Sequence, residues 1–452
     1  MTPPDQFRYD GFAIDRASGH MRCTYSAGGH TFTEEFGFAP TESCAWDDPA
    51  AAAAARILYL LAGVSYYKTT AAPVVDLGDH PTTPAERVFL KAVLVQGLGE
   101  FAHRNGLDLR DVTVTGPDDA VTAPVPYEAV ADRPLIPFGG GIDSIVTADA
   151  VGRAHPDAAL CIVHPPGDRF AAIEGAAAVT GLPVSRIARR IDPQVRRSAQ
   201  LGFLNGHVPV TAIVTAAAVV AAVLERRDAV VLSNERSASV PTLVADGIAV
   251  NHQWSKGEEF ETAFAGLVRA RLGSALSVFS YLRPRSELWV AQQFAGLPAF
   301  HGVFRSCNQA FRQDPAERLD HWCGECDKCC FIDLVLAPFM PAAELDAVFG
   351  GHEPLNDPVN EDRFRTLLGL GPGSRPFECV GDVDECRAAL LLASGHADRR
   401  DAPLLCRLRA ALDGLPNHDH PNAEGAAALL ARQGPHLVPE RYAPADLLVR
   451  AR

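Results

Sequence analysis

LIPFGGGIDSIVTADAV, from Leu135 to Val151, sets an apolar strand directly against three glycines, an Asp-Ser pair and then a helix. Three consecutive glycines let the backbone turn sharply and bring bare N–H groups up to a polyanion, and the N-terminus of the following helix adds partial positive charge. Gly139, Gly140, Gly141, Asp143 and Ser144 therefore read as a phosphate cradle. The Lys-Ser/Thr ending of a Walker loop is absent, as is the G-x-G-x-x-G spacing of dinucleotide-binding folds.

On either side of this loop, short apolar runs alternate with helical stretches. RPLIPF, AALCIVH, PVSRIA and AVVLS have strand length, and IVTADAV, AAIEGAAAV and the run from Val208 to Leu224 read as helices. That alternation predicts βαβ units, hence an α/β fold with a doubly wound parallel sheet over residues 126–340. Before it, FRYDGFAID, HMRCTYSAG and GHTFTEEFGF alternate apolar and polar positions around SG and GG turns and predict an antiparallel meander. Helices from about Asp48 to Leu61 and Pro84 to Arg104 complete a small α+β N-terminal domain, residues 1–125. Residues 341–452 read as a helical C-terminal region, with the Pro- and His-rich stretches PNHDHPNAEG and PHLVPERYAPAD expected to pack loosely.

The 452 residues are 47% apolar and 21% charged, enough for an enclosed core, and they carry a net charge of −14. A field of that sign repels nucleic acid, and no dense basic run offsets it. The N-terminus lacks a basic flank and apolar core, so export is not expected. The Val208 to Leu224 run is too short for a bilayer and reads as a buried helix, not a membrane span. Oligomeric state is not legible.

Eleven cysteines, an odd number, do not suggest a disulfide framework, and a reducing cytoplasm is the natural compartment. Within WCGECDKCCF, Cys323, Cys326 and Cys329 form C-x-x-C-x-x-C, with Cys307 upstream across fifteen intervening residues. Four thiolates satisfy tetrahedral Zn²⁺ and leave no open position, so a structural zinc is expected, with Cys330 as a competing ligand. Cys23, Cys44, Cys161, Cys379, Cys386 and Cys406 are scattered and read as small hydrophobes.

Polar clusters supply candidates for substrate contact. NERSASVPT follows the strand AVVLS and offers Asn234, Glu235, Arg236 and Ser237 at a strand's C-terminal end, where open parallel sheets bind ligands. VNHQWSKG adds His252, Trp254 and Lys256, and RPRSE adds Arg283, Arg285 and Glu287, with the arginines suited to carboxylate or phosphate. Tyr66, Tyr67 and Lys68 of GVSYYKT look more like packing residues. His252, Lys256 and Glu235 are the candidate acid and base by residue type, and the sequence does not choose among them.

Gly139 to Ser144 resemble the PP-loop of the ATP pyrophosphatase superfamily, which cleaves ATP between its α and β phosphates. That superfamily usually opens the loop with Ser, where this chain has Gly139. The resemblance implies a HUP-like fold, a phosphate contact for Ser144, and for Asp143 either a Mg²⁺ ligand or a loop-orienting role. A similar four-cysteine arrangement occurs in PP-loop enzymes that make deazaguanine. GVSYYKT, FGGGIDS, SNERSAS, NHQWSKG and WCGECDKCCF, in that order, look like the blocks of the UDP-N-acetylmuramoyl-L-alanyl-L-glutamate epimerase family. The resemblance implies ATP-dependent inversion of the terminal L-glutamate of a peptidoglycan precursor through an acyl-adenylate, releasing AMP and diphosphate. Alternatives are a PP-loop ligase, amidotransferase or tRNA-modifying enzyme, and a non-catalytic ATP sensor.

Overall fold

The structure is a computed structural model that describes residues 5–38, 43–120, 123–245, 247–371, 375–415, 422–431 and 434–444. Ten strands form one mixed sheet. They are β1 Gln6–Asp15, β2 His20–Ala27, β3 His30–Phe38, β4 Val74–Asp76, β5 Thr113–Thr115, β6 Val130–Pro137, β7 Ala159–His164, β8 Val184–Arg190, β9 Arg227–Leu232 and, after a separate hairpin of β10 Leu243–Ala245 and β11 Ile248–Val250, β12 Ser277–Ser280. The order across the sheet is β12-β9-β6-β7-β8-β3-β2-β1-β4-β5.

β12, β9, β6, β7 and β8 are mutually parallel, as the strand–helix alternation predicts. Neighbouring residues face opposite cores: Leu135, Cys161, Val230 and Val278 join one apolar cluster, and Ile136, Leu160, Val231 and Phe279 join the other. Helices cover both faces. Pro49–Ala62, Val210–Leu224 and Glu258–Leu272 lie on the first, and Ile142–Ala154, Ala171–Thr180, Glu287–Ala295, Asp327–Leu336 and Val383–Ala393 on the second. The Ala-rich helices Pro49–Ala62 and Val210–Leu224 pack on each other, and Val210–Leu224 is buried from Thr215 to Leu224. One helical run among the described residues, Pro49–Tyr67, is long and apolar enough to cross a membrane by length and composition, but 83% of its apolar window is buried in the protein.

The parallel strands belong to a larger mixed sheet, which the expectation of a parallel sheet over residues 126–340 did not include. The β1–β3 meander forms as its alternation predicts, but β3 then pairs antiparallel with β8, so its hydrogen-bond ladder continues into the parallel strands. β8 would otherwise be an exposed edge, with unpaired N–H and C=O groups along it. β4 and β5 extend the far side in parallel register.

Two further expectations change. The single helix from Pro84 to Arg104 is three pieces: Pro84–Ala92, a widened π-type turn Val93–Gly97, and Gly99–Asn105. A Cβ on Gly97 would stand 3.0 Å from Pro209 Cγ, so this close crossing occurs where the helix is widened. The C-terminal region is mostly helical, but its end is not loosely packed where described. Ala426, Leu429, Val438 and Tyr442 are buried, and the Tyr442 hydroxyl is 2.8 Å from both Asp228 carboxylate oxygens. PNHDHP, residues 416–421, lies outside the described residues.

Candidate active site

In sequence order the five parallel strands run 3-2-1-4-5 across the sheet, as β8-β7-β6-β9-β12. The direction of winding reverses between β6 and β9, and ligands of open α/β sheets bind in the crevice beyond the strand ends at such a reversal. A cavity of about 530 Å³ occupies that crevice. Gly139, Gly141, Asp143 and Ser144 from the loop after β6, Asn234 after β9, and Lys256 all line it.

The loop's conformation depends on Gly140. Its φ is +75°, and a Cβ there would lie 2.8 Å from the Ala172 carbonyl oxygen and 3.0 Å from Ile173 Cα. Nothing stands within 4 Å of a Cβ on Gly139. Gly141 is the N-cap of the helix Ile142–Ala154, and Ser144 Oγ donates to its carbonyl at 3.0 Å.

Asp143, in the first turn of that helix, meets Glu235 and Glu287, with one oxygen of each within 4.8 Å of the others. Burial and the Glu235 carboxylate push the Asp143 pKa up to about 7, against the pull of Lys328 and Lys256. Burial and Asp143 raise Glu287 well above the usual range. Asp143 Oδ1 is buried without a hydrogen-bond partner. Three carboxylates this close repel unless protonated or bridged, so the set could hold a divalent cation.

The other candidates divide by position. Asn234 Nδ2 donates to Ser280 Oγ at 3.0 Å, and Ser237 Oγ donates to Glu235 Oε1 at 3.2 Å. Arg236 Nη2 sits 3.8 Å from Asp382 Oδ2, and its Nε is buried and unpartnered. Arg283 and Arg285 do not line the cavity. Arg283 is fully buried, bonds Glu261 through Nε and Nη2, and donates to the Glu235 and Lys256 carbonyls, so it braces the segments carrying those residues. Arg285 stacks over Trp289 at 4.7 Å. Tyr66 and Tyr67 are core residues, and Lys68 donates to Asn205 Oδ1 and the Gly206 carbonyl.

Several site residues escape a reading of the sequence. Cys379 lines the cavity, which corrects its assignment as a packing thiol. Lys256 Nζ lies 3.2 Å from its sulfur, and the Lys328 ammonium donates to its carbonyl at 2.5 Å. Burial would raise the thiol, but Lys256, His252 and Lys328 pull it down to about 6. His252 in turn lies 2.5 Å through Nδ1 from Glu100 Oε2. Burial disfavours its charge, yet hydrogen bonds to Cys379 and Glu100 raise it to about 9. Burial also opposes charge on Lys256, and Cys379, Glu235 and Asp143 outweigh it. Lys328 could have been suspected as a cation inside the cysteine motif. Nothing in the local sequence marks Cys379 or Glu100.

The four-cysteine expectation converges in space. Sulfurs of Cys307, Cys323, Cys326 and Cys329 lie within 4.8 Å of one another, with Cys329 3.6 Å from Cys323 and 3.5 Å from Cys326. Tetrahedral zinc with bonds of about 2.3 Å sets its sulfurs roughly 3.8 Å apart, so the four thiols could hold a structural zinc. Cys330 is outside this set, buried and with its thiol pushed up.

Residues 1–281 match the MurL N-terminal domain and residues 303–423 the MurL C-terminal domain. The chain is 40% identical to the UDP-N-acetyl-alpha-D-muramoyl-L-alanyl-L-glutamate epimerase of Salinispora tropica, over 98% of this chain and 95% of that one. The enzyme of the same name from a Micromonospora species is 39% identical over 98% and 97% of the two chains, and that of Xanthomonas oryzae pv. oryzae 36% over 85% and 84%. No solved structure matches the chain. Two adjoining domain matches and near-full-length identity to these enzymes agree, and the chain belongs to the UDP-N-acetyl-alpha-D-muramoyl-L-alanyl-L-glutamate epimerase family.

Proposed function

We propose that this epimerase inverts the terminal glutamate of UDP-N-acetylmuramoyl-L-alanyl-L-glutamate in peptidoglycan precursor synthesis, and that it drives the inversion with ATP. The observation that carries the nucleotide reading is the triglycine loop at the sheet's reversal point, opening on a cavity of about 530 Å³ beside three carboxylates. The same strand order supports a PP-loop, HUP-like core. Asp143, Glu235 and Glu287 would hold Mg²⁺, which would neutralise phosphate charge, and the unpartnered Asp143 oxygen fits that use. The ten described cysteines form no disulfide, which supports a cytoplasmic location.

An α-proton beside a carboxylate is hard to remove, because the resulting enediolate accumulates negative charge. Adenylation cancels part of it. The glutamate carboxylate attacks the α-phosphorus of ATP, the bond between the α and β phosphates breaks, and diphosphate leaves into the Gly139 to Ser144 cradle. Lys256 and Lys328, both lining the cavity, offset the developing charge. Asn234, which lines the cavity, contacts substrate in this reading, whereas Arg236 and Ser237 lie outside the lining and position Glu235 and its segment. Loss and return of the α-proton on opposite faces inverts the centre, and hydrolysis frees the D-glutamyl product and AMP.

The test is turnover of the UDP-muramoyl dipeptide with ATP in heavy water. AMP, diphosphate and deuterium at the glutamate α-carbon are expected together. AMP release only with an added amine would indicate a ligase, and binding without turnover a sensor.

A further inference from the structure

We propose that the Cys379 sulfur, paired with His252 and backed by Glu100, exchanges a proton with the glutamate α-carbon on one face of the substrate. The assignment rests on the epimerase reading above, and it does not require adenylation.

Three stretches far apart in the chain converge on this sulfur. Glu100 comes from the helix Gly99–Asn105, His252 and Lys256 from the segment after β11, and Cys379 from the C-terminal region. The carboxylate, imidazole and thiol form a relay that ends at the cavity wall, where Cys379 lies with the phosphate loop and Lys256. A packing thiol has no need of such partners. Buried Cys23, Cys161 and Cys386 face no comparable set of cations, and burial pushes each of them up. The groups acting on Cys379 are Lys256, His252 and Lys328, with Asp143 sensing its charge across the cavity.

The neighbouring groups are less suited to take the proton. Lys256 is held as an ammonium by the anions around it and has no lone pair to offer. His252 Nδ1 is engaged by Glu100, and the imidazole is held protonated. Glu235 belongs to the carboxylate trio and takes the Ser237 hydroxyl. Cys379 lines the cavity, and its sulfur, beside the Lys256 ammonium at 3.2 Å, keeps an electron pair to offer. In the forward step the Cα–H bond breaks, an S–H bond forms, and the electron pair moves into the adjoining carbonyl to give an enolate. The negative charge leaves sulfur and reappears on oxygen, with Lys256 beside the sulfur throughout. A proton drawn from water on the opposite face completes the inversion, and the hydroxide so formed takes up the sulfur's proton, restoring the thiolate and water. In the reverse direction the thiol returns its proton to the α-carbon.

The experiment uses the full chain as Cys379→Ala and Cys379→Ser with the UDP-muramoyl dipeptide and ATP in heavy water. Epimerisation, deuterium entry into each diastereomer, and AMP are measured separately. The expected result is a loss of inversion of about 10²- to 10⁴-fold, with deuterium entry suppressed for one diastereomer more than the other and AMP release retained. Inversion within about threefold of the parent overturns the proposal, as does equal suppression of both exchanges. Should the variants lose their folded circular dichroism signal, iodoacetamide labelling of the parent protein decides. Alkylation at Cys379 that substrate blocks and that abolishes inversion supports it, and alkylation there with inversion intact overturns it. A parent protein that inverts without releasing AMP refutes the nucleotide reading and leaves the Cys379 comparison valid. A parent that does not invert the dipeptide refutes both.

Discussion

A single methyl group at Gly140 should displace the triglycine loop, while the same addition at Gly139 should leave it in place. The Gly140 backbone sits at φ +75°, which costs a residue with a Cβ about 1–2 kcal/mol. Its Cβ would press to 2.8 Å on the Ala172 carbonyl oxygen and 3.0 Å on Ile173 Cα, both backbone atoms of a packed helix that cannot rotate away. Forcing extra volume into such a contact costs typically 1–3 kcal/mol more. Gly140→Ala should therefore lose about 2–5 kcal/mol, either as global stability or as a loop pushed out of register. Gly139→Ala meets nothing within 4 Å and should stay within about 0.5 kcal/mol of the parent. Denaturant titration measures the first quantity, and diphosphate release with the muramoyl dipeptide reads the loop's position. If Gly140→Ala matched Gly139→Ala in both measurements, the close approach of loop and helix would be refuted.

Metal analysis of native protein should find about one zinc per chain, and Cys326→Ala should lose it along with thermal stability; a zinc-free parent of full stability would count against the four-thiol site. His207 is pulled down to about 4 by burial and by its neighbour His252. Its contribution to stability is therefore complete above the ordinary histidine pKa of about 6.5 and is lost as the pH falls through about 4. His207→Gln should accordingly show a smaller drop in melting temperature between pH 7 and pH 4 than the parent, by differential scanning calorimetry. Tyr442→Phe removes a hydroxyl shared by both Asp228 oxygens and should cost about 1.5–3 kcal/mol, with limited proteolysis revealing a freed C-terminal segment; an unchanged digestion pattern would show that this contact does not hold it.

Local pattern carried much of this architecture. The triglycine turn lies between a strand and a helix, as the flanking apolar runs require, and the C-x-x-C-x-x-C spacing brings its sulfurs together with Cys307. Pairing between distant strands was not legible, because nothing in HTFTEEFGF or PVSRIA specifies that β3 and β8 are neighbours. The neighbourhood of the cavity was illegible for a related reason. His252 and Lys256 stand out by residue type, but Cys379 acquires its character from cations 51 and 123 residues away in sequence. Arg283 illustrates the opposite error, since guanidinium chemistry suits an anion and gives no hint that buried Glu261 already satisfies it.

The seam between β3 and β8 has a consequence for biosynthesis. Glu34 on β3 is fully buried and pairs with Arg189, 155 residues later, at 2.6 Å. At ribosomal speeds of about 5–20 residues per second, roughly 8–30 seconds separate the emergence of the two strands. Throughout that interval β3 is an open edge, and an inward-pointing carboxylate makes it a poor template for any other nascent strand. Arg189 arrives as the matching key, so the residue that guards the unfinished edge also selects the strand that closes it.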